Sequence, residues 1–597
     1  MNAPQAPPAI ADYGLIGDGR TAALCSSRGS IDWLCLPRFD SDPIFGRLIG
    51  GDRAGTFSLS VEEGRDPSRR YREGSAVLET TWRTPGGSVT LTEGMTLYAT
   101  GRLLPQSLLV RRLESEGAPA RVRCLFDPRP GPQGGQLPHR QRREGLVLTR
   151  GSLAFALKTT PMLRVVPGRP MELEVEPGRP VTFAMSVADR QPLVFVEPAA
   201  AFAFLEETDR WWRQWAARIA YDGPQVTTVV RSLITLRLLT YSPSGAPVAA
   251  PTTSLPEDPG GTRNWDYRFS WPRDAAIGVT AFLATGLAEE AHSFFHWLLV
   301  ASRLTRPRLH VAYTLDGKPG LSEEELFDVP GYRGSRPVRL GNAAATQHQL
   351  DVYGWVVDAA WALARSQRLH PAMWRGVRAF SDFVSDHWQD PDAGIWEMRA
   401  DPADHVHSKL MGWLALDRAL RIGESNRTGR GRMARWREQR DVLADAIRSR
   451  GFDTDRGSYV RSYGSKELDA ALLILPLLEF DPPGSPRVSG TIDAIRRELS
   501  AGGPLLYRYR PGSDGLEGDE GAFLPCSFWL VLALARTGRL DEAHELLEEL
   551  SGLGNDLGLY AEEMDPVTRD HLGNFPQALT HGGLIQAALA VEATRDR

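Results

Sequence analysis

Between residues 10 and 189, apolar and polar side chains alternate in short runs cut by Gly and Pro. The period of two predicts strands over 76–84, 88–96, 107–113, 121–126, 146–157 and 181–187. Many short strands with turn residues between them predict an antiparallel sandwich of two sheets. Over 199–219 the period becomes helical, with Trp211, Trp212 and Trp215 on one stripe, which predicts a helix bridging two domains. Beyond residue 223 helical segments follow one another, at about 225–242, 272–286, 288–304, 344–368, 370–388, 406–422, 428–450, 466–478, 490–500, 520–537, 540–551 and 576–592. Loops that alternate between terse and long predict six helical hairpins closed into a ring, with the long loops gathered at one end. The absence of a fixed repeat argues against a solenoid.

At 597 residues the chain exceeds what one core usually supports, so the pattern divides it into a sandwich over 1–198, a linker helix over 199–224 and an all-α domain over 225–597. The net charge of −5 gives no footprint for nucleic acid, and the one basic run, 139–143, reads as a solvated hairpin or loop. Cys25, Cys35, Cys124 and Cys526 lack metal or disulfide spacing and read as reduced thiols. The start has neither a basic nor an apolar targeting segment, and no apolar run is long enough for a membrane span. The expectation is a cytoplasmic protein with its first eight residues loose. No HExxH, EF-hand loop, P-loop or GxSxG elbow occurs, and the His405, His407 pair has the spacing of surface histidines, so neither metal nor cofactor is expected.

Candidate chemistry concentrates in one stretch and three long loops. Residues 263–274 set Trp265, Tyr267 and Trp271 among Arg and Asp, ending in Arg273-Asp274 at the start of a helical run. A hexose has an apolar face and a rim of hydroxyls, which asks for aromatic walls beside groups that donate, as Arg273 does, and accept, as Asp274 does. The loops at 316–342, 390–407 and 552–575 each hold carboxylates beside a ring, among them Glu397 after Trp396 and the pair Glu562-Glu563. Carboxylates with Arg and Trp, without metal or nucleophilic Ser or Cys, point to glycoside hydrolysis. The opening stretch SIDWLCLPRFD reads as a loop able to reach over a neighbouring site.

Motifs in one order along the chain strengthen this reading. APTTSLPEDPGGTRNWDYRFSWPRDAA, GYRGSRPVRLGNAA, GIWEM, HSKLMGWLALDRA, EGAFLPCSFWL and GNFPQALTHGGLI resemble glycoside hydrolase family 15, the bacterial glucoamylase and trehalase group. DYGLIGDGRTAAL and GSIDWLCLPRFDS resemble its trehalase-like amino-terminal domain. The resemblance implies a β-sandwich followed by an (α/α)6 barrel, and an inverting, exo-acting hydrolase of α-glucosides such as trehalose or an α-glucan. It implies Glu397 as general acid, Glu562 as general base with Glu563 the other candidate, Arg273 and Asp274 as the grip on glucose, and Trp265, Trp396 and Lys409 as lining. Pro272 stands where the group more often has Leu, and Trp355 where many relatives have Glu, which implies a change on the leaving-group side. The expected partner is a small carbohydrate, with no nucleic acid and no membrane. Competing readings are an inverting phosphorylase, which replaces the base by phosphate, and an inactive sugar-binding protein, which lacks one of the two carboxylates.

Overall fold

The computed structural model describes residues 7–97, 107–366, 370–426 and 430–595, so most of the expected loose amino terminus lies outside the described residues. The strand Ala120–Asp127 shows why the first half folds as sheet. Val122, Cys124 and Phe126 are buried while Arg121 and Arg123 face solvent, the pattern of a pleated strand with one wet face. Among the described residues the strands build one antiparallel sheet of seven and one of eight. Phe57 of the first sheet meets Phe126 beside it and Phe183 of the second, at ring-centroid distances of 5.2 and 5.6 Å, so the core lies between the sheets. Arg111 crosses that core: it pairs with the buried Glu93 at 2.8 Å and donates to the carbonyls of Phe57 and Gly29.

The strand Val181–Asp189 is buried on both faces, against the expected alternation. The reason is helix α1 (Pro198–Ala216), whose Ala201 and Leu205 cover the outer face by packing on Val77, Val110 and Ala184. At its far end Trp215 Nε1 donates to Glu290 of the helical half at 2.6 Å, so the helix touches both halves. Two expectations change. The run 146–157 is two strands, Gly145–Arg150 and Leu153–Thr160, paired across a turn at Gly151-Ser152. SIDWLC is not a loop but the buried strand Ser30–Cys35, whose Trp33 Nε1 donates to the Pro251 carbonyl at 2.7 Å. The segment after it accepts from Arg268 at Ser41 O, bracing the 264–268 stretch from behind rather than covering it. The basic run pairs as the exposed strand His139–Arg142 in a hairpin.

The helices of the second half are α2 (Val226–Leu238), α3 (Pro272–Ala284), α4 (Ala288–Ala301), α5 (Asp351–Ser366), α6 (Pro371–His387) and α7 (Val406–Asn426). After them come α8 (Arg430–Arg450), the short α9 (Leu475–Leu478) entered through a 3-10 turn at Ala470–Ile474, α10 (Pro486–Glu498), α11 (Leu524–Arg536), α12 (Leu540–Ser551) and α13 (Ala578–Arg595). Sequence separates them into two classes. In α11 every residue from Leu524 to Ala535 is buried, as an all-apolar helix demands, whereas α12 buries one stripe, Ala543, Leu547 and Leu550. The first class is inner: α3 packs on α5, α5 on α7, α7 on the Ala470 turn, that turn on α11, α11 on α13, and α13 on α3. The second class lies outside, α4 on α3, α8 on α7, α12 on α11 and α2 on α13. The expected helix over 344–368 starts only at Asp351, because 343–346 is a separate 3-10 turn capped by Asn342; its last two residues lie outside the described residues. No helix among the described residues is long and apolar enough to cross a membrane.

Candidate active site

The amino-terminal ends of α3, α11 and α13 meet around an open-mouthed cavity. Trp271 caps α3, Pro272 fills its first position, where a missing N–H costs nothing, and Arg273 and Asp274 complete its first turn. Helix amino termini carry partial positive charge, which favours the acidic groups gathered there.

Of the carboxylates that line the cavity, Glu397 and Glu562 are held by Trp271 and Tyr267. Glu397 lies in the turn after Gly394, itself at φ +57°, a left-handed conformation that a glutamate adopts only when its surroundings impose it. Trp271 Nε1 donates to Glu397 Oε1 at 2.7 Å, and the Arg273 guanidinium stands 3.5 Å from the same oxygen. Tyr267 Oη donates to Glu562 Oε1 at 2.7 Å and Gln577 Nε2 donates to it at 3.2 Å, while Oε2 has no partner among the described residues. The Tyr267 and Trp271 rings meet edge to face at 5.5 Å, so a continuous contact runs from one carboxylate to the other. Burial pushes the Glu562 pKa up and Glu257 adds to the push, with Arg508 and the Tyr267 hydrogen bond opposing it. Glu563, the first residue of the strand Glu563–Met564, does not line the cavity and accepts from Gly521 N at 2.9 Å.

Arg273 donates to the Ile395 carbonyl at 2.9 Å and lies 4.0 Å from the buried Asp351. Its Nε stands 3.5 Å from Asp274 Oδ1, and neither atom is hydrogen-bonded among the described residues. Burial raises the Asp274 pKa to about 6 against the pull of Arg273. Trp265 lines the opposite wall, its Nε1 on Glu257 at 2.9 Å and its ring under the guanidinium groups of Arg339 and Arg399. Trp396 lines it too, donating to Asp469 at 2.8 Å.

Three expectations need correction. Lys409 is fully buried and does not line the cavity; it donates to the carbonyls of Trp388 and Asp390 and pairs with Asp404 at 3.0 Å, clamping the loop that carries Glu397. Trp355 sits one turn past Asp351 on α5 and borders a different cavity from the one that Glu397 and Glu562 line. His405 and His407 are buried, not on the surface, and burial lowers them to about 4 and about 3.

Glu257, Gln577 and Arg508 also reach the cavity without having been singled out. The first two stand inside motifs quoted above, and Arg508 had only the Arg-Tyr alternation of RYRPG as a signal. Glu257, Glu520 and Glu563 bring oxygens within 4.8 Å of one another, a spacing that suits a cation. Arg508 supplies it, bonding Glu257 and Glu520 and standing 3.7 Å from Glu563.

Gly573 backs Glu562. Its φ is +72°, and a Cβ there would fall 2.7 Å from Glu562 Oε2 and 2.9 Å from its Cβ. Gly573→Ala is expected to destabilise the protein by about 1–3 kcal/mol, read as a lower denaturant midpoint at unchanged slope. An unchanged midpoint would show that the loop relaxes freely.

Comparison with known proteins gives the family. Residues 223–589 match the model of glycosyl hydrolases family 15, and residues 3–194 match the trehalase-like amino-terminal model. A trehalase of Mycolicibacterium smegmatis is 37% identical, the match covering 98% of this chain and 91% of that protein. A trehalase of Thermoplasma volcanium is 36% identical over 98% of this chain and 94% of that protein. The fold matches a crystal structure of bacterial glucoamylase complexed with acarbose at a TM-score of 0.72 and 13% identity, over 99% of this chain and 96% of that one. The chain belongs to glycosyl hydrolases family 15 and is a glycoside hydrolase.

Proposed function

We propose that the enzyme is a cytoplasmic, inverting, exo-acting α-glucosidase whose preferred substrate is α,α-trehalose, built as a β-sandwich over 1–198, a linker helix over 199–224 and a closed (α/α)6 barrel over 225–597. The observation that carries the mechanism is the pair of carboxylates, Glu397 and Glu562, held by Trp271 and Tyr267 on one cavity. The trehalase name of relatives matched along nearly the whole chain supports the substrate. Arg273 and Asp274 grip the glucose that ends the chain. Glu562, through its unpartnered Oε2, takes a proton from water as the water's oxygen bonds to C1. Glu397 gives its proton to the glycosidic oxygen as the C1–O bond breaks, and inversion needs about 6.5–9.5 Å between the two carboxyls to seat that water.

The stereochemistry tests the reading. Trehalose cleaved with inversion yields one β-glucose and one α-glucose, whereas maltose or a longer glucan yields new β-glucose at its non-reducing end. Proton NMR of fresh product, over a panel of trehalose, maltose, isomaltose and glucans, is expected to show β-glucose first from the glucans and the highest kcat/KM on trehalose. Only α-glucose from trehalose would mean retention, and faster cleavage of glucans would make the enzyme a glucoamylase.

Tyr267→Phe tests the base. The lost hydrogen bond favoured the carboxylate form of Glu562, so its pKa, already raised by burial, climbs further. A base works ionised, so the acid limb of the kcat profile is expected to move to higher pH, with activity partly recovered on the alkaline side. An unmoved acid limb would argue that Glu562 is not the base.

A further inference from the structure

The helices that present their amino termini to the catalytic cavity enclose another cavity further along. It measures about 170 Å³ and is bordered by α3, α5, α9, α11 and α13. On α3 it is lined by Ala276, Thr280 and Ala284, four residues apart on one face, so it runs along the helix away from Arg273 and Asp274. Asp274 and Ala284 stand about 15 Å apart along the axis at 1.5 Å per residue. Ala284 and Arg536 are exposed and mark a mouth at the far end, while Ala276 and Leu532 are buried and form an apolar floor.

Two residues that line this space carry buried polar atoms of opposite sense. Trp355, 5% exposed, has its Nε1 donor buried without a partner among the described residues. Gln586 directs its Nε2 at Thr280 Oγ1, 3.5 Å away, which leaves its Oε1 acceptor buried and unpartnered. A buried donor or acceptor left without a partner is destabilising, so two on residues lining one cavity favour an occupant that both accepts and donates. The nearby Asp358 is paired with Arg418 at 2.8 Å, so its charge is already met and does not call for a cation. An engineered apolar cavity of about 150 Å³ holds benzene, so this one has room for a six-membered ring.

We propose that this cavity is a second ligand site, distinct from the catalytic one, which takes an uncharged, hydroxyl-bearing ring of hexose size. The ring lies on Leu532 and Ala276, and its hydroxyls accept from Trp355 and donate to Gln586. Trp355, which the resemblance in sequence linked to the leaving-group side, acts here instead.

The full chain labelled with 5-fluorotryptophan tests this by fluorine NMR. The Trp355 signal is assigned from Trp355→Phe and, should that variant not fold, from the signal that Gln586→Leu perturbs. Cyclohexanol, D-glucose and myo-inositol are the probes, titrated to about 50 mM to cover dissociation constants near 1 mM. The Trp355 signal is expected to shift saturably with at least one of them. Gln586→Leu is expected to weaken that probe by about three- to tenfold, one hydrogen bond's worth, and Leu532→Phe to abolish the shift. The shift is expected to persist in Asp274→Ala, which separates it from sugar bound in the catalytic cavity and from any failure of the trehalase reading. A signal unmoved by all three probes, meaning water is the only occupant, or a shift indifferent to Leu532→Phe, overturns the proposal.

Discussion

Glu397→Gln and Glu562→Gln are each expected to leave the fold intact and to lower kcat on trehalose by about 10²–10⁴-fold, the usual worth of a general acid or base. Glutamine keeps the shape and still accepts from Trp271 or Tyr267, whose hydrogen bonds end on a single carboxyl oxygen in each case. What the amide loses is the ability to give or take a proton. The two variants are expected to differ with the leaving group. A substrate with an activated phenol in place of the second sugar needs no protonation, so it is expected to restore much of the rate to Glu397→Gln and little to Glu562→Gln. Circular dichroism confirms folding, and steady-state kinetics on both substrates gives the readout. Activity within tenfold of wild type for either variant on trehalose would remove that residue from the mechanism.

Arg273→Met is expected to damage the enzyme more than Asp274→Asn. The guanidinium stands 3.5 Å from Asp274, 4.0 Å from Asp351 and 3.5 Å from Glu397, and the side chains of these acids are 7%, 0% and 19% exposed. Without it three carboxyls share a dry site with no cation among them, and breaking such a buried arrangement costs about 3–5 kcal/mol. The expectation is a fall in kcat/KM of two to three orders of magnitude together with a lower unfolding midpoint, since about 1.4 kcal/mol is a factor of ten. Asp274→Asn leaves Arg273 facing Asp351 and Glu397, so its loss is expected mainly in kcat/KM, with the unfolding midpoint nearly kept. The signs of the titrations agree: burial has raised Asp274 and Asp351 to about 6 each against the opposing pull of Arg273, so removing the cation drives both higher. If Asp274→Asn proves the more harmful to stability, Arg273 is held by its carbonyl contact rather than by charge.

The amino-acid pattern carried the division into sheet and helix because burial imposes a period on each. Ala120–Asp127 alternates and α12 shows a single stripe, so both were legible. Where a second layer covers the outer face the burial stops alternating: Val181–Asp189 beneath α1 kept its period in sequence and was legible as a strand, whereas Ser30–Cys35, also buried on both faces, read as a loop. Loop pattern offered Glu397 and Glu562 only among several carboxylates beside rings, and the resemblance to family 15 singled them out, whereas Arg273-Asp274 stood out because the pair opens a helix.

Sequence by itself thus determined the two kinds of domain, the helix between them and the polar residues available for a sugar site, since these follow from periodicity and residue chemistry along one stretch of chain. Tertiary structure alone decided which of two adjacent glutamates faces the cavity: Glu562, just before the strand Glu563–Met564, lines it, while Glu563 turns toward Gly521 and Arg508. It also decided that Tyr267 and Trp271 hold the two carboxylates, that Lys409 clamps a loop and that Trp355 borders the far cavity. Each of these depends on contacts between segments far apart in the chain, such as Tyr267 with Glu562 and Trp271 with Glu397, and local pattern has no term for the direction in which a side chain meets a distant partner.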